Sequence, residues 1–103
     1  NHNRPEYRMR RMNVIELEPA RLHELNLWWM KPQGEELVTC LEKSRQVKML
    51  EYSDLAIKAK AEDNSNFKDA ADLTLQEAVE IEHAIKVLKS FFPDGPFIAR
   101  IEL

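Results

Sequence analysis

Glu80-Ile81-Glu82-His83 is the one stretch of this 103-residue chain whose spacing suits a metal. A glutamate and a histidine three residues apart lie on one side of a helix, as each ligand-bearing helix of a di-iron carboxylate bundle requires. Such a centre needs a second copy of the pattern and two more glutamates. No second copy exists: the residue three before His23 is Ala20, and His2 has none. Projected at 100° per residue, His83 falls on a polar face with Gln76, Glu80, Lys86 and Ser90, so it reads as a solvated histidine. No metal and no cofactor is expected.

The other reactive residue types stand alone. Cys40 has no histidine or basic cluster beside it in sequence to lower its pKa, so it reads as a small apolar residue on a helix. Ser44, Ser53, Ser65 and Ser90 carry no motif of a nucleophile with its base. Two glycines, Gly34 and Gly95, cannot build a phosphate-cradling loop. Among 18 acidic residues nothing singles out a catalytic pair. These absences favour a protein that binds rather than one that catalyses.

Two features could bind. The first is residues 1–12, where Arg4, Arg8, Arg10 and Arg11 face a single acid, Glu6; this balance of +3 leaves −6 on the remainder of a chain whose net charge is −3. A basic arm on an acidic body suits an anionic partner, and Arg4, Tyr7, Arg8, Arg10 and Arg11 could track phosphates or stack on a base. The chain opens with Asn1, and the plainer reading of the same residues is a flexible leader. The acidic body and the lack of a basic helix face make nucleic acid the secondary reading.

The second feature is Leu25-Asn26-Leu27-Trp28-Trp29-Met30, which holds both tryptophans of the chain. Adjacent side chains on a helix diverge by about 100°, so one shallow core cannot readily cover both rings. With a helix over 19–30, Leu22, Leu25, Trp28, Trp29 and Met30 spread over an arc of about 200°, wider than one neighbour covers.

Elements must position these residues. Residues 13–17 read as a strand, and Pro19 then starts the 19–30 helix, because proline at a first helical position loses no needed N–H. Lys31-Pro32-Gln33-Gly34 ends it. A second helix over 34–62 has no glycine or proline inside it and reaches about 40 Å. Its main stripe is Leu37, Leu41, Ser44, Lys48, Tyr52, Leu55 and Ala59, and a separate row of Cys40, Val47, Leu50 and Ile57 makes it apolar on two sides. A polar loop follows over 62–66, with a short helical turn over 66–72. Thr74-Leu75-Gln76-Glu77 matches a capping box and predicts a third helix over 74–92. Its apolar face collects Leu75, Ala78, Ile81, Ala84, Ile85, Leu88, Phe91 and Phe92. After the turn at residues 93–96, strict alternation over 97–103 predicts a strand. The strands are expected to pair, with Arg100 facing Glu16.

The expected architecture is therefore mostly α: a helical bundle dominated by a long helical hairpin, with short terminal strands that pair, a single domain over 13–103 and an arm over 1–12. No apolar run is long enough to cross a membrane. A lone cysteine and no visible secretion signal suit the cytoplasm or another reducing intracellular compartment. The expected function is a non-enzymatic interaction or assembly module. It would form a homo-oligomer or meet a protein partner through Leu22, Leu25, Trp28, Trp29, Met30, Phe97 and Ile101, the last two lying on a strand with a free edge.

Overall fold

The computed structural model describes residues 13–102. Five elements follow in order: β1 (Asn13–Leu17), α1 (Pro19–Glu24), α2 (Leu37–Glu62), α3 (Ser65–Phe91) and β2 (Phe97–Ile101). The fold is mostly helical, built on the long antiparallel hairpin of α2 and α3, and the two strands pair. The candidate nucleic-acid-binding residues Arg4, Tyr7, Arg8, Arg10 and Arg11, and Leu103 at the far end, lie outside the described residues.

The strands run parallel in the register Asn13 to Phe97 through Leu17 to Ile101, which sets Glu16 opposite Arg100 with their charged atoms 3.5 Å apart. The opposite edge of β2 is also occupied. Gly34 N–H donates to Ala99 O at 2.8 Å, Ala99 N–H donates to Glu35 O at 2.9 Å, and Glu36 bridges Ile98 in antiparallel sense. Side chains complete that edge: Glu36 Oε2 accepts from Phe97 N–H at 3.0 Å and Gln33 Oε1 from Ile101 N–H at 2.6 Å. β2 is thus central rather than free-edged, and among the described residues the outer edge of the sheet is that of β1. Alternation along β2 sends Phe97 and Ala99 into the core and leaves Arg100 exposed.

The first helix is shorter than the 19–30 expected. Asn26 takes the left-handed conformation (φ 55°), Asn26 N–H donates to His23 O, and Leu27 N–H donates to Leu22 O at 2.7 Å. That pair of bonds is a Schellman termination, with asparagine in the role glycine more often fills and Leu27 packed in the core beside Leu22. The stop therefore comes before Lys31-Pro32, and the tryptophans leave the helix. The carbonyls of Leu25 and Asn26 are met by Ser44 of α2, whose Oγ lies 2.7 and 3.1 Å from them. Ser44, a polar member of the main stripe, is fully buried and satisfies the end of α1.

The 62–66 loop contracts to two residues. Asp63 caps α2 in the left-handed conformation (φ 49°), and Asn64 caps α3 by accepting from Asn66 N–H at 2.8 Å. Asp and Asn tolerate these positions better than other side chains do. With α3 starting at Ser65, the predicted turn over 66–72 merges into it and the capping box at Thr74 goes unused. Thr74 is mid-helix, its hydroxyl donating to Ala70 O at 2.8 Å, while Glu77 reaches across to Lys48 Nζ at 3.1 Å. The hairpin arms are consequently nearly equal, 26 and 27 residues, where the expected bounds of 34–62 and 74–92 make the second helix the longer. At the other end α3 stops at Phe91. That ring is exposed, and Phe92 leaves the helix to pack edge-on against Phe97, so neither joins the helix face predicted for it.

The large buried side chains gather at the strand end. Leu17, Leu27, Leu37, Leu41, Ile81 and Phe97 pack there with smaller neighbours. The distal part of the hairpin buries only Ala71, Thr74 and Ala78, with Tyr52, Leu55 and Phe67 half-covered.

Candidate interaction surface

The expected patch divides. Leu22, Leu25 and Phe97 are buried in the chain's own core and offer no surface, whereas Met30 and Ile101 are half-buried. Trp28 and Trp29 remain 55% and 41% exposed. The reason is local: the helix stop at Asn26 turns the following backbone into a tight loop, with Met30 N–H donating to Leu27 O at 3.0 Å. The side chains of Leu27 and Pro32, on either side of the indoles, are fully buried. Two anchors in the core thus hold a short loop that presents its rings outward.

The rings meet different neighbours. Trp28 stacks on His23 of α1, with ring centroids 6.0 Å apart and planes 18° from parallel. Trp29 walls a groove of about 380 Å³ with Met30, Glu36, Thr39, Cys40 and Lys43 at the start of α2.

Glu36 fixes this corner. Its carboxylate accepts from Thr39 N–H and Thr39 Oγ1, both at 2.9 Å, and from Val38 N–H at 3.3 Å as an N-terminal cap of α2. The same group accepts from Phe97 N–H of β2. Partial burial alone pushes its pKa up, but these hydrogen bonds outweigh burial together and hold it below the ordinary carboxylate value. Cys40 moves the other way. Burial first, then the negative charges of Glu35 and Glu36, push its thiol up, so it stays a protonated, apolar-like lining of the groove.

Glu80 and His83 lie exposed on the outer side of α3. Among the described residues no group of three His, Cys, Asp or Glu side chains comes together around a point that could hold a metal. Nor is any described helix long and apolar enough to cross a membrane.

A second apolar area runs along α2. Leu50 and Ile57 are 67% and 68% exposed, in the row with Cys40 and Val47 that the sequence sets apart from the inner stripe. Leu73 and Val79 of α3 are exposed as well. Sequence periodicity did not single out Leu73, because a predicted start at 74 put it outside the helix. Compared with protein-family models, curated proteins and solved structures, the chain finds no match among them.

Proposed function

We propose that this protein is a non-enzymatic helical interaction module that assembles through the loop carrying Trp28 and Trp29. One observation carries the reading: both indoles stand substantially exposed on a loop whose flanking Leu27 and Pro32 are fully buried, so their exposure is a held geometry. Large rigid aromatic rings dominate the energetics of protein interfaces because they bury much area for little lost rotamer entropy. A preorganised loop reduces the ordering cost of binding further.

Sedimentation of the full chain against its Trp28→Glu and Trp29→Glu variants tests this reading. The expected result is an associated wild type and dissociated variants with unchanged circular dichroism, since neither ring supports the core. A strictly monomeric wild type, indifferent to both substitutions at high concentration, overturns it.

A further inference from the structure

We infer that the assembly partner is a second copy of this chain, docked antiparallel along the outer face of α2 about a two-fold axis; this rests on the assembly reading above. The outer face carries Cys40, Lys43, Val47, Leu50, Asp54 and Ile57, with spacings of three and four in strict alternation. That is the seam spacing of a coiled coil. It lies away from α3, which takes the inner stripe of α2. Cys40 is buried at the floor of the Trp29 groove, Val47 is half-buried, Leu50 and Ile57 are exposed, and among the described residues Asp54 is engaged by Lys58 of its own helix, at 3.1 Å.

The seam is complementary to itself in one direction only. Take a two-fold axis at the level between Lys48 and Met49. Val47 and Leu50 then lie equally far on either side of it, as do Lys43 and Asp54, and as do Cys40 and Ile57. An antiparallel copy places each residue against its equidistant mate: Val47 meets the partner's Leu50, Lys43 the partner's Asp54, and Cys40 the partner's Ile57. Apolar residues face apolar ones, and opposite charges face each other. A parallel copy in register would set lysine on lysine and aspartate on aspartate, so charge selects the antiparallel arrangement. The ends close as well. Ile57 lies about 13 Å along the helix from the axis, as does Cys40, whose groove is walled by Trp29, Met30 and Lys43. The partner's Ile57 enters that groove and covers Trp29.

Sedimentation of the full chain with charge-swapped variants decides the matter. Asp54→Lys or Lys43→Asp alone creates two like-charge contacts per dimer and should weaken association about tenfold or more, and the double variant K43D/D54K should restore it. Leu50→Asp should yield monomer with an unchanged helical spectrum. A dimer that Trp29→Glu dissociates but the charge series leaves untouched overturns this seam while the assembly reading stands. A dimer that follows the charge series but ignores both tryptophan variants supports the seam and overturns the aromatic reading. A chain that stays monomeric throughout overturns both.

Discussion

The strand end of the molecule and the far half of its hairpin are made from the same two helices, yet they are held by different means. At the strand end, α2 and α3 share one core with Leu17, Leu27 and Phe97 from outside the hairpin, and large side chains disappear completely. In the distal half, among the described residues, the helices have only each other. Their shared seam is closed by Ala71, Thr74 and Ala78 and spanned by Lys48, which reaches Glu77 at 3.1 Å and Glu51 at 3.5 Å. A helix with one neighbour buries one stripe, and α2 carries two. The lesson is that the strand end supplies folding energy, and the hairpin spends part of its apolar content on a surface.

Substitutions should expose that division. The largest effect is expected at the strand end, where Leu41→Ala removes a fully buried side chain and should cost about 3 kcal/mol in urea unfolding. A loss under about 1 kcal/mol would mean that this core is not what holds the fold. Next comes Glu36→Gln, which disturbs the hydrogen bonds joining α2 to β2 and should cost about 2 kcal/mol at neutral pH.

Glu36 also predicts a pH dependence. Its folded carboxyl sits below its ordinary value of 4.5, so near that pH the unfolded chain binds more protons than the folded one. The stability this group contributes is therefore complete above the ordinary value and is lost as pH falls through the lower, folded one. Acid titration of unfolding free energy should fall more steeply for the wild type than for Glu36→Gln. Parallel curves would show that the carboxylate is not what ties the strand to the helix.

Smaller effects belong to the hairpin. Removing Lys48 by Lys48→Met should change stability by about 1 kcal/mol or less, since its partners are partly exposed. Thr74→Ala should stay within about 0.5 kcal/mol, because its hydroxyl bonds back within the helix rather than capping an end. A loss of about 1 kcal/mol or more, with amide exchange accelerated over residues 65–73, would instead mark Thr74 as the true start of the helix.

That last contrast also shows what the sequence could reveal. Alternation in residues 97–101 and the charges of Glu16 and Arg100 made the strand pairing readable, and Pro19 marked the start of α1. The long apolar periodicities of α2 and α3 announced a hairpin. Three local signals misled or stayed silent. Asn26 stops α1 because asparagine tolerates the left-handed turn, but Leu25, Trp28 and Trp29 carry a helical period straight past it. Thr74 and Glu77 have the spacing of a cap, yet Asn64 caps earlier and makes theirs redundant. The pairing of residues 34–36 with β2 depends on a close approach of segments more than sixty positions apart, which no local pattern records. The two tryptophans were legible as a surplus of apolar surface. That they sit on a loop, each against a different neighbour, was not.

Trp28 and Trp29 are the only tryptophans in the chain, so their fluorescence reports directly on whether association covers them. Emission followed through dilution, with Trp28→Phe to isolate Trp29, tests the central claim. The account predicts a red shift on dilution as Trp29 loses its cover and meets water. Emission that stays constant and water-like at every concentration would show that nothing covers the ring, and would contradict it.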